Sequence, residues 1–262
     1  MTQKMADLPE QRLWRTPPFL HCGIDVFGHF NIKHGKNTRS NPGTRKVWIL
    51  LFTCLYSRAV HLELLESMDA ASFRMALTRF EAVRGECTYL RSDCGSNFMQ
   101  VRQEVSGNEC VNLTPEIVDE VMEDWQQLGK IWDISPPTAS HFGGVWERKI
   151  GQIRQVLQGF ILTSDRRTLS SEELMTFLQK AARMVSSTPL WESPDNSNDA
   201  MPITPYHLIT QRDDACSQNP ELRPTVYSSD DLIAYGTNRW RRVGFLADEF
   251  EKHWRKYIYS VG

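Results

Sequence analysis

Residues 22–28 read CGIDVFG, and this short apolar run around Asp25 decides the centre of the fold. Apolar side chains at successive positions predict a strand over residues 19–27 that is buried on both faces and is therefore central in its sheet. A carboxylate is costly to bury without a partner, so Asp25 needs either a bound cation or an ion pair with a buried arginine. The run predicts a central strand with a charged group built into it and leaves the partner open.

Two further acidic residues stand in similarly informative settings. Asp93 follows the extended start of YLRSDCGSNF, residues 89–98, and Glu147 lies near the start of a helical pattern in SHFGGVWERKIGQIRQVL, residues 140–157. Two carboxylates on strands and one on a helix suit a two-metal phosphoryl-transfer site, because Mg²⁺ prefers oxygen ligands. Two such ions, about 4 Å apart, stabilise both the attacking and the leaving oxygen when a phosphodiester is cleaved.

Each of these two residues also has an ordinary structural explanation. Asp93 is alternatively a turn residue before Gly95, and Glu147 a first-turn glutamate that the helix dipole favours. Together with Asp25, however, the set favours a metal site over three unrelated structural roles.

The order of elements in the first half predicts an α/β fold. Strands over residues 47–55 and 58–64, joined by a short polar link, indicate an antiparallel hairpin. A helix follows, capped by Ser67 or Asp69 and ended by Gly85. Its apolar face is predicted to contain Phe73, Ala76, Leu77, Phe80 and Val83. A strand over residues 87–92 then leads to Asp93, and a strand–helix–strand passage of this kind implies a right-handed crossover with parallel pairing.

The second half continues with a helix opened by Thr114-Pro115 and a short strand over residues 131–134. In the next helix Glu147 lies one turn before Ile150, at the end of the buried stripe, so its carboxylate is expected to point toward the sheet. A further helix over residues 171–185, a linker over residues 191–201 and an aromatic, basic helical pattern over residues 238–258 complete the chain.

Composition is that of an ordinary globular protein, with 262 residues, 40% hydrophobic and 24% charged. This length allows one sizeable domain with a smaller appendage, or two modest domains. No apolar run approaches the roughly 20 residues that span a bilayer, so we expect no membrane partner. Six cysteines without a CxxC pair predict reduced intracellular thiols. The spacing of the histidines and cysteines gives no reason to expect a structural zinc ion.

The net charge of −2 counts against a uniformly basic nucleic-acid binder, but the basic residues are clustered. One cluster lies within residues 33–46, which contain no acidic side chain. A second follows Glu147, and a third lies within residues 239–256. Each cluster is either a solvated face or a phosphate contact.

The three acidic motifs, taken with their order, resemble a known family. CGIDVFG, SDCGSNF and PPTASHFGGVWER are similar to the three motifs of the integrase catalytic core in BEL/Pao-type long-terminal-repeat retrotransposons. LFTCLYSRAVHLELLESMDAASFRMALTRFEAVRG and RWRRVGFLADEFEKHWRKY resemble the same polyproteins, the second in their segment after the core. The resemblance runs over residues 6–257. Any one motif is weak, but five in the same order make coincidence improbable.

The resemblance implies an α/β, RNase H-like fold: a mixed five-stranded sheet with helices on both faces. It implies that Asp25, Asp93 and Glu147 are the catalytic residues and hold two Mg²⁺ or Mn²⁺ ions. The implied reaction is attack of water, and then of a DNA 3′-hydroxyl, on a phosphodiester. It also implies DNA as a partner, self-association and a nuclear location.

Nucleic-acid contacts are assigned to residues near the three carboxylates, namely Asn97, His141, Arg148, Lys149 and Arg154. Arg154 and Lys149 partly replace a lysine that retroviral enzymes carry at the position of Gly151. Asn97 is alternatively explained by a local side-chain-to-backbone bond, and His141 by a solvent-facing loop.

The expected organisation is an N-terminal tail over residues 1–18, the catalytic core over 19–165, a helix and linker over 166–200, and a partial C-terminal segment over 201–262. We expect no complete C-terminal barrel and no zinc module before the core. These departures suggest a fragment, a decaying copy, or a host gene derived from an element.

Three hypotheses follow. The first is a metal-dependent integrase-type polynucleotidyl transferase. The second is a catalytically silent, host-adopted nucleic-acid- or chromatin-binding protein that keeps the fold. The third, suggested by the net charge, is a scaffold that no longer uses DNA.

Overall fold

The computed structural model describes residues 16–33, 43–93, 115–135, 151, 153–154, 169–190, 203–211 and 239–261. The strands are β1 (His21–Lys33), β2 (Thr44–Cys54), β3 (Val60–Leu65), β4 (Tyr89–Asp93) and β5 (Ile131–Ser135). The helices are α1 (Ala70–Arg84), α2 (Pro115–Gln127), α3 (Ser171–Ser186), α4 (Pro205–Thr210) and α5 (Arg239–Val261).

The five strands form one mixed sheet in the order β3-β2-β1-β4-β5. β1 pairs antiparallel with β2, and β2 with β3, which confirms the predicted hairpin. β1 pairs parallel with β4, and β4 with β5, which confirms the predicted parallel pairing. Helices pack on both faces, so the predicted RNase H-like fold class is confirmed.

β1 is longer than the sequence predicts. Residues 31–33 lie beyond the predicted strand over residues 19–27, but they pair with β2, and the last pair joins Lys33 to Thr44. The strand passes through an irregularity between Gly28 and Phe30, after which Phe30 and Ile32 are again buried. Gly28 has a φ of 139°, a conformation that L side chains rarely adopt. Backbone pairing with β2 therefore continues through residues 31–33, although Asn31 and Lys33 are polar.

Two hydrophobic cores lie on opposite faces of the sheet. The α1/α2 core contains side chains of β1, β2, β4 and β5 packed against these two helices, including Ile24, Phe52, Phe73, Phe80, Leu90, Val121 and Trp132. The α3/α5 core contains the opposite side chains of the strands together with the other two long helices, including Phe27, Leu51, Leu62, Phe177, Phe250 and Trp254. Sheet and helices thus bury each other on both sides.

α1 begins and ends as predicted, with one difference on its buried face. The Asp69 side chain caps the helix by accepting from the Ser72 N–H at 2.7 Å, and Gly85 follows its last turn. Val83 continues the predicted apolar spacing but does not share its burial, since it is 67% exposed. Arg84 occupies the end of the buried face instead, with its guanidinium carbon 5.0 Å from the centre of the Phe19 ring. A planar cation can cover an aromatic face in place of an apolar side chain.

The C-terminal helix α5 packs on α3. The rings of Phe250 and Phe177 meet edge to face at 5.8 Å between centroids. The predicted helices over residues 171–185 and 238–258 are confirmed as elements. The predicted linker over residues 191–201 lies outside the described residues. None of the helices in the described ranges combines the length and the apolar character needed to cross a bilayer.

Candidate functional site

Asp25 lies on the central strand β1, on the face that carries the α3/α5 core. Its neighbours Ile24 and Val26 point into the α1/α2 core, and side chains alternate along a strand. Leu51, the Cα partner of Asp25 on β2, belongs to the α3/α5 core. The Asp25 side chain is nevertheless 20% exposed. The strand therefore holds a carboxylate against a buried face while keeping part of it accessible.

Asp93 follows the strand that runs beside Asp25. The last Cα pair between the parallel strands β1 and β4 joins Ile24 to Ser92, and the next residues along the two strands are Asp25 and Asp93. Neighbouring strands lie about 4.8 Å apart. On its other side Asp93 pairs with Ser135, the last residue of β5. The sheet thus brings the backbones of the two aspartates together at the carboxyl ends of β4 and β5.

Arg154 contacts Asp25 directly. Its Nη1 lies 3.5 Å from Oδ2 of Asp25, and its side chain is 19% exposed. The preceding residue, Ile153, is fully buried in the α3/α5 core, so this helical segment packs on the same face of the sheet. Arg154 Nη2 is buried and has no hydrogen-bond partner among the described residues. Arg154 was predicted to contact nucleic acid; the structure places it on a candidate metal ligand.

Most other predicted site residues lie outside the described part of the chain. These are Glu147, Asn97, His141, Arg148 and Lys149, and nothing is described of the Asp93 side chain. Within the described residues, no group of three or more histidine, cysteine, aspartate or glutamate side chains is arranged to hold a metal ion. The site shown directly is therefore the Asp25–Arg154 pair with the Asp93 backbone beside it.

A second polar row, which sequence reasoning missed, lies two residues earlier along the same strands. Arg91 on β4 pairs with Gly23 on β1 and with Asp133 on β5, two residues before Asp93, Asp25 and Ser135 respectively. The Tyr89 hydroxyl donates to Asp133 Oδ2 at 2.7 Å, and Arg91 Nε lies 3.9 Å from the same oxygen. The only sequence signal was strand alternation, which is informative here only once the parallel pairing is known.

The electrostatics of this row keep its aromatic groups neutral. Burial, together with the neighbouring Asp133 carboxylate, raises the pKa of the Tyr89 hydroxyl far above its usual value, so the hydroxyl remains a donor. Burial lowers the pKa of His21, whose ring meets the Tyr89 ring at 5.6 Å. At neutral pH the Tyr89 hydroxyl and the His21 ring are therefore both uncharged.

Comparison with known proteins gives similarities among solved structures alone: no family model matches the chain, and neither does any curated protein. A chain of the simian T-cell lymphotropic virus intasome, solved in complex with the PP2A regulatory subunit B56 gamma, is 15% identical, with 80% of this chain and 59% of that chain covered and a TM-score of 0.45.

Two isolated integrase cores give comparable values. The HTLV-2 integrase catalytic core domain in complex with magnesium, in its dimeric form, is 14% identical over 73% of this chain and 97% of its own, with a TM-score of 0.40. The catalytic core domain of BIV integrase is 16% identical over 74% and 95%, with a TM-score of 0.41. The assignment of the fold rests on the strand order and the pairing directions of the sheet.

Proposed function

We propose that this chain is an integrase-type polynucleotidyl transferase core, derived from a BEL/Pao-type retrotransposon, that cleaves DNA and transfers its strands with divalent metal. The observation that carries the proposal is the register of the parallel strands β1 and β4. Their last Cα pair is followed directly by Asp25 on β1 and by Asp93 on β4. In open sheets, ligands bind at the carboxyl ends of parallel strands, next to the point where strand order reverses.

The carboxylates of the proposed site are suitable ligands for hard divalent cations. Asp25 offers carboxylate oxygens, the ligand type that Mg²⁺ and Mn²⁺ prefer, on a side chain that is 20% exposed. Glu147 is the proposed third ligand. It lies seven positions before Arg154, about two helical turns, so both belong on one face of the predicted helix. When bound, such ions supply positive charge to the phosphodiester and lower the pKa of an attacking water.

In this proposal Asp25, Asp93 and Glu147 fix the metal positions. Asn97, His141, Arg148 and Lys149 contact DNA near them, and two or more copies of the chain act together in the nucleus. Phosphate contacts of this kind predict DNA binding that weakens steeply as the salt concentration rises.

A second candidate function is favoured by the contact between Arg154 and Asp25. A buried carboxylate is stabilised by an adjacent guanidinium, so this pair alone explains an aspartate on a central strand. In this alternative the protein binds nucleic acid or chromatin through the same fold and no longer acts on it.

The deciding experiment is nicking and strand transfer of labelled duplex DNA in Mg²⁺ and in Mn²⁺. We expect metal-dependent product from the wild type and a loss of at least about 100-fold in Asp25→Asn and Glu147→Gln, because misplacing the reacting groups by even about 1 Å costs that much. Glu66→Gln is the matched control, since Glu66 is an exposed carboxylate paired with Arg45 on the surface.

The outcomes separate the two candidates. Product that survives in Glu147→Gln contradicts the proposed ligand set. No product from a folded wild type, with salt-dependent DNA binding unchanged by Asp25→Asn, establishes the silent binding protein instead.

A further inference from the structure

Arg154 provides a positive charge beside the Asp25 carboxylate when no metal is bound. Asp25 is mostly buried on the central strand, and an ionised carboxylate in such a place requires a compensating charge. Arg154 supplies it, with its guanidinium Nη1 lying 3.5 Å from Oδ2 of Asp25.

The contact is nevertheless a poor one for these two groups. Arginine and carboxylate form two parallel hydrogen bonds of about 2.7–2.9 Å when nothing else constrains them. Here the distance between Arg154 Nη1 and Asp25 Oδ2 is 3.5 Å, and Nη1 is the only nitrogen of Arg154 bonded to this carboxylate in the described part of the chain. Nη2 is buried without a hydrogen-bond partner among the described residues. For comparison, the surface pair of Arg45 and Glu66 is bidentate, at 3.0 and 2.7 Å.

A loose pair at a proposed metal ligand has a specific consequence. A divalent cation and the Arg154 guanidinium would compete for the same carboxylate, and their like charges would repel each other. The cation therefore binds only to the fraction of molecules in which Arg154 has moved away, and its apparent affinity is reduced accordingly.

We infer that Arg154 is an internal counterion of the metal-free protein, one that occupies Asp25 until a divalent cation displaces it and so sets the metal affinity of the site. The inference rests on the proposed metal site and adds a role for a residue that the sequence assigned to DNA. Its distinguishing feature is the sign of the effect, because removing a positive side chain from the site is expected to improve cation binding and to weaken the metal-free fold.

The test is Mn²⁺ binding to the full chain, followed by isothermal titration and by the paramagnetic signal of free Mn²⁺, without DNA. We expect Arg154→Met to bind Mn²⁺ at least about fivefold more tightly than the wild type, which is the lower end of typical coupling between sites. Arg154→Gln keeps a hydrogen-bond donor near Asp25, and we expect it to show the same direction. Arg74→Met is the matched control, because Arg74 pairs with Glu120 and Asp124 on the surface of α1 and α2.

A second readout is the thermal midpoint with and without Mn²⁺. Arg154→Met is expected to have a lower midpoint than the wild type without metal and a larger rise on adding metal, whereas Arg74→Met shows the wild-type rise. Arg154→Gln provides the same comparison if the methionine variant does not fold.

The results distinguish this inference from the proposed function. Mn²⁺ binding that depends on Asp25 but is equal or weaker in both Arg154 variants overturns the counterion role and leaves the metal site standing. Absence of Asp25-dependent Mn²⁺ binding in every protein overturns both.

Discussion

At the scale of single residues, Glu63 on β3 is a buried carboxylate outside the candidate site. Its carboxylate accepts from Arg79 Nε at 2.7 Å and contacts His61 Nε2 at 2.9 Å. Arg84 Nε donates to His61 Nδ1 at 3.2 Å, so Nδ1 is the accepting nitrogen and the proton is on Nε2, facing Glu63. Burial raises the pKa of Glu63, but the hydrogen bonds from His61 and Arg79 outweigh burial and lower it.

This direction predicts how acid affects stability. Because the folded-state pKa of Glu63 lies below the ordinary value of 4.5, its contribution is complete above that value and is lost as the pH falls through the folded-state pKa. We expect Glu63→Gln to be less stable than the wild type at pH 7, with the difference shrinking below about pH 4.5. Urea unfolding between pH 7 and pH 3 measures it.

Glu66→Gln is the control, because Glu66 is an exposed partner of Arg45 and exposed pairs contribute little. A constant difference between Glu63→Gln and the wild type across the whole pH range would show that the carboxylate has no shifted pKa.

At the scale of elements, β3 is an edge strand with three outward backbone groups bonded to side chains. The Val60 N–H donates to Ser186 Oγ at 3.1 Å, Gln179 Nε2 donates to the Leu62 carbonyl at 2.9 Å, and Arg79 Nη2 donates to the Leu64 carbonyl at 2.9 Å. Edge strands otherwise offer these groups to other chains. α3 and α1 therefore both cover this edge and protect it from unwanted strand pairing.

The cap on Val60 gives a direct test. Ser186 is almost completely buried, so Ser186→Ala leaves a buried N–H without an acceptor, and we expect a loss of about 1–3 kcal/mol in the free energy of unfolding. Thr176→Ala on the exposed side of the same helix removes a bond to the Glu172 carbonyl, and we expect a change within about 0.5 kcal/mol. Equal stability of the two variants in urea unfolding would mean that water replaces the cap.

At the scale of the whole molecule, the C-terminal helix shares a core with the central sheet. Phe250 is fully buried between α5 and α3, in the same cluster as Phe27 of β1 and Leu62 of β3. Trp254 Nε1 donates to Thr188 Oγ1 at 3.0 Å just beyond the end of α3. The predicted division between a core over residues 19–165 and a segment over 201–262 stays a prediction, but the packing joins these residues in one hydrophobic cluster.

Shared packing predicts shared unfolding. Phe250→Ala removes a large ring from this core and is expected to cost about 3–5 kcal/mol, with far-UV circular dichroism and tryptophan fluorescence reporting one transition at a lower urea midpoint. Lys252→Ala on the exposed face of α5 serves as the control, with a change within about 0.5 kcal/mol. Two separate transitions in Phe250→Ala would show that α5 and the sheet unfold independently.

Sequence patterns by themselves determined the strand around Asp25, the hairpin of β2 and β3, the start of α1 after a cap at Ser67 or Asp69, and the crossover to β4. Each of these depends on residues close together in the chain, where side-chain period and capping chemistry act locally. Their order, with the resemblance of the acidic motifs, was sufficient to predict the mixed five-stranded sheet. Local patterns were weakest at element ends, where β1 extends beyond the end of its predicted strand and Val83 is exposed.

Only the tertiary structure decided which groups meet. Asp25 and Arg154 are 129 positions apart, and no local pattern relates them. The register of the parallel strands sets the neighbouring positions of Asp25 and Asp93. It also sets the contact between Tyr89 and Asp133. A shift of that register by one residue turns every side chain to the other face. Register is set by how both faces of the sheet pack, which is a property of the folded chain as a whole.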